Sequence, residues 1–306
     1  MDLRIVFMGT PLFAVPALDI LINNGYKVVG VITATDKWGG RGNKTLLESA
    51  VKKYAISKGL RVLQPKNLKS PEFIEELRSL NANLQVVVAF RMLPEVVWAM
   101  PEYGTFNLHG SLLPKYRGAA PIHWAVINGE KETGVTTFFI QHQIDTGDMI
   151  LQKSISVGEN ETTGEVHDRL QMVGAETVLE TVQLIEKQDY TLQKQDDSLA
   201  SKAPKLNKEI CEINFDQATE KVHNFIRGLS PYPAAWTMLD KQLLKIYRSK
   251  KLVEAHDLPP GTFVSDNKNF IKIATADGFV EILELQLQGR KKMDTTAFLN
   301  GYKFTN

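Results

Sequence analysis

Leu84-Gln85-Val86-Val87-Val88-Ala89-Phe90 is an apolar run broken only by Gln85. Its length suits a strand, and its lack of apolar/polar alternation leaves no face for water, which is the pattern of a strand buried on both sides in a parallel sheet. Parallel neighbours need crossover connections, so strands should alternate with helices on either side of it. Upstream, residues 71–80 carry helical spacing, residues 61–63 form a brief strand before Gln64-Pro65, residues 46–57 read as a helix, and residues 28–33 are a β-branched run. Farther upstream, the apolar run 3–8 ends in Gly9-Thr10-Pro11 and leads into a helical stretch at 16–23. Downstream, strands are expected at 105–109, 135–140 and 150–156. Val166, Leu170, Val173, Val178, Leu179, Val182 and Ile185 then mark the apolar stripe of a long helix.

This alternation predicts a doubly wound, Rossmann-like α/β domain over residues 1–188, with ligands beyond the carboxyl ends of its strands. The loops after Gly9, Phe90 and His109 occupy that edge. Residues 189–208 are polar, lack apolar periodicity and read as a linker. Over 209–306 the pattern changes to a helix within 215–229, a turn at Pro231-Tyr232-Pro233, and short strands at 236–239, 243–247, 261–264, 270–275 and 278–287. That spacing suits a small OB-like β-barrel.

The 306 residues carry a formal charge of +1, which argues against a polybasic mode of nucleic-acid binding but leaves room for a local basic face. Residues 202–306 hold 16 Lys+Arg against 12 Asp+Glu, whereas residues 1–201 hold 20 against 23, so any such face belongs to the C-terminal part. The single cysteine, Cys211, excludes an intramolecular disulfide or a cysteine zinc cluster and suits a reducing compartment. His123, His142, His167, His223 and His256 show no metal-site spacing, and no metal is expected. With neither a signal-like start nor a run of about 18 apolar residues, the chain reads as a cytoplasmic protein without a membrane anchor.

Residues 106–121, Phe-Asn-Leu-His-Gly-Ser-Leu-Leu-Pro-Lys-Tyr-Arg-Gly-Ala-Ala-Pro, place Asn107 and His109 two apart on a strand. Their side chains therefore leave one face, and the chain then breaks at Gly110, Pro114 and Gly118 into a loop. After one further strand, Ile144-Asp145-Thr146-Gly147-Asp148 offers a carboxylate. An amide donor, a titratable ring and an anion suit acyl transfer: an amine attacking a carbonyl carbon makes a tetrahedral oxyanion that Asn107 and a protonated His109 can stabilise, while the amine sheds a proton toward His109 or Asp145. Ser111 opens a second reading, a serine hydrolase using His109 and Asp145, although His-Gly-Ser-Leu-Leu lacks the glycine that follows two residues after the serine in a nucleophile elbow. Gly39-Gly40-Arg41-Gly42-Asn43 matches neither G-x-G-x-x-G nor a P-loop, and Arg41 is its one chemically distinctive member.

The run Asn-Leu-His-Gly-Ser-Leu-Leu-Pro-x-Tyr-Arg-Gly-Ala-Ala-Pro followed by Asp-Thr-Gly-Asp resembles the folate-dependent formyltransferases, which carry a formyl group on 10-formyltetrahydrofolate. Phe7-Met8-Gly9-Thr10-Pro11, Gly40-Arg41-Gly42, Ala203-Pro204-Lys205-Leu206, His223-Asn224, Ile226-Arg227 and Pro231-Tyr232-Pro233-Ala234-Ala235-Trp236 extend the likeness from about residue 3 to about residue 302. The resemblance implies a monomeric one-carbon transferase that takes 10-formyltetrahydrofolate as donor and the α-amine of methionyl initiator tRNA as acceptor. It puts Asn107, His109 and Asp145 in the catalytic positions and Ser111, Leu112, Leu113 and Pro114 on the folate-binding stretch, with Ala89 and Phe90 beside it. It sets Arg41 and Lys44 against the acceptor arm. Arg248, with Lys245, Lys250 and Lys251, and Arg290 with Lys291 and Lys292, fall on the domain that helps hold tRNA. Two departures lie near the expected pterin pocket: Ala89-Phe90-Arg91 stands where the family has Ala-Tyr-Gly, and Gln141-His142-Gln143-Ile144 where it has a Met-Asp-x-Gly-type lead. An amino-sugar nucleotide acceptor would keep the chemistry, but the basic C-terminal part counts against it. A non-catalytic folate or RNA binder is the third reading, disfavoured by the intact Asn/His/Asp set.

Overall fold

The computed structural model describes residues 1–40, 42 and 44–304. The chain packs into two units, one of Met1–Gly118, Gly134–Ile155 and His167–Lys202, the other of Ala119–Thr133, Ser156–Val166 and Ala203–Asn306. The first unit is built on strands β1 (Arg4–Gly9), β2 (Lys27–Ile32), β3 (Lys37–Gly39), β4 (Thr45–Leu47), β5 (Val62–Leu63), β6 (Leu84–Val88), β7 (Thr105–His109), β8 (Arg117–Gly118), β9 (Glu132–Phe139) and β10 (Met149–Ser156). Seven of them form one sheet in the order β10-β9-β7-β6-β1-β2-β5, and β3 and β4 make a separate hairpin. β1, β2, β5, β6 and β7 pair in parallel, and β9 runs antiparallel to β7.

Helices α1 (Val15–Asn23), α2 (Ala50–Ser57), α3 (Pro71–Ser79), α4 (Glu95–Trp98), α5 (Pro121–Ile127) and α6 (Thr163–Lys187) connect or follow these strands. Every residue of β6 is buried, as its uniform apolarity requires. The strand stops at Val88 because Ala89 takes φ +48°, a left-handed turn that no strand can continue. The helix expected over 46–57 begins only at Ala50. Ser49 caps it by accepting the Lys52 N–H at 3.0 Å, while Leu46 and Leu47 go into β4 and remain exposed. Helix α3 starts the same way, with Ser70 as cap and Pro71 in the first turn, where its missing N–H costs nothing.

The second unit contains α5, β11 (Lys202–Ala203) at its border, α7 (Thr219–Gly228), strands β12 (Ala235–Leu239), β13 (Gln242–Leu252), β14 (Phe263–Ser265), β15 (Ile271–Ala274), β16 (Phe279–Leu287) and β17 (Met293–Asp294), and α8 (Thr295–Asn300). The strands form a curled antiparallel sheet in the order β12-β13-β16-β15-β14, with β17 on β16. Val222, Ile226, Leu244, Ile246, Ile273, Val280, Ile282, Leu285 and Phe298 fill its core. At roughly 1.5–3 kcal/mol per buried large aliphatic or aromatic side chain, that cluster is the main source of the unit's stability. Two polar bonds add order: the buried one from Thr163 Oγ1 to Gly228 O at 2.7 Å, and the half-buried one from Arg227 Nη1 to Glu161 O at 2.9 Å. Among the described residues no helix is long and apolar enough to cross a membrane.

Candidate active site

Strand β7 sets Asn107 and His109 on one face by its two-residue period. Asn107 lies opposite Val87 of β6 and Phe138 of β9, and His109 opposite Thr136. His109 is 6% exposed, and its Nε2 lies 2.8 Å from the Tyr116 carbonyl oxygen. A carbonyl can only accept, so Nε2 carries the proton and the lone pair of the neutral ring sits on Nδ1. Nδ1 is 3.8 Å from Asp145 Oδ2, too far for a hydrogen bond but close enough for that carboxylate to balance charge developing on the ring.

Both partners of His109 stand on unusual backbone. Tyr116 has φ +63° and Asp145 φ +55°. Asp tolerates that region, whereas a buried tyrosine in it is an outlier that its surroundings must hold. The Tyr116 N–H donates to Ser201 Oγ at 2.9 Å, and the Asp145 carboxylate accepts the Gly118 N–H at 2.8 Å. Each contact ties the loop after β7 to another segment.

The Ser-Leu-Leu-Pro run hangs on one hydroxyl. Thr136 Oγ1 donates to Ser111 O at 2.7 Å and accepts from Leu113 N at 3.1 Å and Gln152 Nε2 at 2.8 Å, which exhausts its capacity. Ser111 is fully buried and donates its own hydroxyl to Lys115 O at 2.6 Å. That hydroxyl is not presented to a substrate, so the hydrolase reading is set aside. Leu113 packs with Phe138 and Met149, leaving Leu112 and Pro114 half-exposed. Ala89 is exposed at the end of β6, and Phe90 packs against the sheet's apolar core. Beyond the carboxyl ends of β1 and β6, Leu12 and Met92 are 62% and 76% exposed.

Arg41 lies outside the described residues, and Lys44 is exposed between β3 and β4. In the second unit Arg248 is 2.6 Å from Glu165. Burial alone would raise that carboxyl, but the Thr162 N–H and the Arg248 guanidinium outweigh it and hold it at about 2. Lys292 pairs with Glu284 at 3.0 Å, Arg290 lies 5.9 Å from the Phe298 ring centre, and Lys291 is exposed. Lys205 and Lys208, to which the sequence reading assigns no binding role, line with Tyr232, Trp236 and Lys245 a cavity of about 490 Å³, Lys208 Nζ lying 5.8 Å from the indole centre. Also missed were Tyr116 and Gln195, whose contributions depend on backbone conformation and on pairings across distant segments. Among the described residues no group of three His, Cys, Asp or Glu is placed to hold a metal ion.

Residues 3–182 match the formyl transferase family model and residues 205–303 the model of the formyl transferase C-terminal domain. The methionyl-tRNA formyltransferase of Bacteroides thetaiotaomicron is 52% identical over all of this chain and 97% of its own length. That of Flavobacterium johnsoniae is 54% identical over 99% and 98%. Among solved structures, a sugar 3N-formyl transferase crystallised with dTDP and 5-N-formyl-THF superimposes with a TM-score of 0.69 at 21% identity, covering 95% of this chain and all of that one. Methionyl-tRNA formyltransferase from Clostridium thermocellum superimposes at 0.56 and 17% identity, over 89% of this chain and 99% of its own. At such identities these two structures speak for the fold alone.

Proposed function

This chain belongs to the formyl transferase family, and we propose that it transfers the formyl group of 10-formyltetrahydrofolate to the α-amine of methionyl initiator tRNA. The observation that carries the reading to chemistry is the orientation of His109: with Nε2–H held by the Tyr116 carbonyl, Nδ1 is the basic nitrogen and faces Asp145. Exposed Leu12 and Met92 offer apolar side chains to the ring faces of a pterin, whose edge atoms are hydrogen-bond donors and acceptors. In this reading the amine adds to the formyl carbon, Asn107 donates its amide hydrogen to the resulting oxyanion, and His109 Nδ1 takes the amine proton while Asp145 balances the imidazolium. The carbon–nitrogen bond to the donor then breaks, and the proton held on Nδ1 is returned to the departing nitrogen. The reaction neither gains nor loses protons overall.

The α-amine has an ordinary pKa of about 7.7 to 8, so a useful fraction is neutral near pH 7.5 and no strong base is required. Division of labour follows charge. The first unit carries the transfer site, while Lys205, Lys208 and Lys245 around Trp236, together with Lys291, Arg290 and Arg248, supply phosphate contacts and a stacking surface on the second. The acting species is a monomer. Loss of an oxyanion donor costs on the order of 3 kcal/mol and loss of acid/base help about 10²-fold to 10⁴-fold. Asn107→Ala and His109→Ala should therefore each lower formylation of charged initiator tRNA by at least about 10²-fold; full activity in His109→Ala would sink this mechanism.

A further inference from the structure

Gln195 lies in the polar stretch between α6 and the second unit, where sequence suggests only a tether. Its side chain makes four hydrogen bonds within the first unit. Nε2 donates to the carbonyl oxygens of Asp145 at 2.9 Å and Gly147 at 2.8 Å, and Oε1 accepts from Arg117 Nε at 3.0 Å and Nη2 at 2.7 Å. Gln193 exchanges two backbone bonds with Met149, at the end of the same Asp-Thr-Gly-Asp loop. Six residues past Gln195, Ser201 accepts the Tyr116 N–H on its hydroxyl and the Arg117 N–H on its carbonyl. Tyr116 is the residue whose carbonyl fixes the His109 ring.

We propose that residues 193–201 form a strap, with Gln195 as its central positioning residue, that fixes Asp145 and the Tyr116 carbonyl in register around His109. The amide is matched to its place. Two carbonyls on the loop side demand a donor, and a guanidinium on the other side demands an acceptor; glutamine supplies both from one planar group. Asp145 in particular needs an external hold, because at φ +55° its backbone has no regular ladder to fix it. The inference rests on the formyl-transfer reading, since it assigns Gln195 an effect on that reaction.

Its test uses the full-length protein and steady-state formylation of charged initiator tRNA, with thermal melting in parallel. Gln195→Ala removes the donor and the acceptor, and is expected to lower kcat by about 10²-fold, the order associated with a displacement of about 1 Å in a reacting group, with KM for tRNA within about twofold. Gln195→Glu is the discriminating variant. It keeps an acceptor for Arg117, now as an ion pair, but turns an oxygen toward the Asp145 and Gly147 carbonyls. The strap predicts a melting temperature near that of the natural protein together with a kcat as low as that of Gln195→Ala. A residue that only anchors Arg117 predicts full kcat in Gln195→Glu, and that result, or a loss carried by KM alone, overturns the proposal. Asp197→Ala, which removes only the exposed partner of Arg117, should stay within about twofold in kcat. Inactivity of the unmodified protein toward tRNA would instead count against the formyl-transfer reading itself.

Discussion

Gly147 is the tightest point of the Asp145 loop. A methyl group added there would fall 2.9 Å from the Phe139 carbonyl carbon, closer still to its oxygen, and 3.0 Å from Phe138 Cδ2. The obstacle is partly main chain in the central sheet, since Phe139 ends β9 and its N–H is bonded to Asp148 O at 3.1 Å. β9 cannot yield cheaply, so the loop must. The added methyl would overlap the Phe139 carbonyl oxygen, so restoring an ordinary contact of about 3.5 Å displaces the loop by more than about 1 Å, which stretches the 2.8 Å bond from Gln195 and moves Asp145 relative to His109 Nδ1. Gly147→Ala should therefore lower kcat by about 10²-fold and destabilise the protein by about 1–3 kcal/mol through overpacking. The assay is single-turnover formylation with enzyme in excess, normalised to the folded fraction from a urea titration. Thr146→Ala is the control on the same loop, expected to stay within about threefold, because it removes only hydroxyl contacts to Gln143 and Gln141. A Gly147→Ala protein within threefold of normal would refute the claim that this loop has no room and that Asp145 placement limits the rate.

Three further outcomes are expected. Thr136→Val keeps volume but strips the two hydrogen bonds to the Ser111 and Leu113 main chain and a third from Gln152 Nε2, and should cost about 2–3 kcal/mol in urea titrations. His223, buried beside Arg227, is pushed down from 6.5 to about 4 by burial first and by that guanidinium second. The unfolded chain therefore binds a proton below 6.5 that the folded chain refuses. Stability should be flat above that pH and fall by up to about 3 kcal/mol toward pH 4, with His223→Gln flattening the profile. Charge reversal at Lys205 and Lys208 should raise KM for tRNA about tenfold and shrink the salt dependence of binding, leaving kcat at saturation nearly unchanged.

The sheet was legible where burial alone dictates sequence. Leu84 to Val88 is buried at every residue and apolar except for Gln85, and β1 is nearly as buried, whereas β7 alternates Thr105, Asn107 and His109 with Phe106 and Leu108. Helix α5 was not legible: seven residues after Gly118-Ala119-Ala120 give too few turns for a period, and Pro121 reads as a breaker although it sits in the first turn. Strand β13 runs to Leu252, well past residue 247, because register shifts around Arg248 interrupt its alternation. Asn107 and His109 could be read from a two-residue spacing, and Asp145 from its turn chemistry. Tyr116 and Gln195 could not, since one acts through a main-chain carbonyl and the other through bonds to residues some 50 positions away.

Purified protein supplied with 10-formyltetrahydrofolate should formylate methionyl initiator tRNA and leave an amino-sugar nucleotide and free methionine essentially untouched at equal concentration. Transfer to the small amines at a comparable rate, or none to the charged tRNA, would show that this site does not serve a tRNA acceptor.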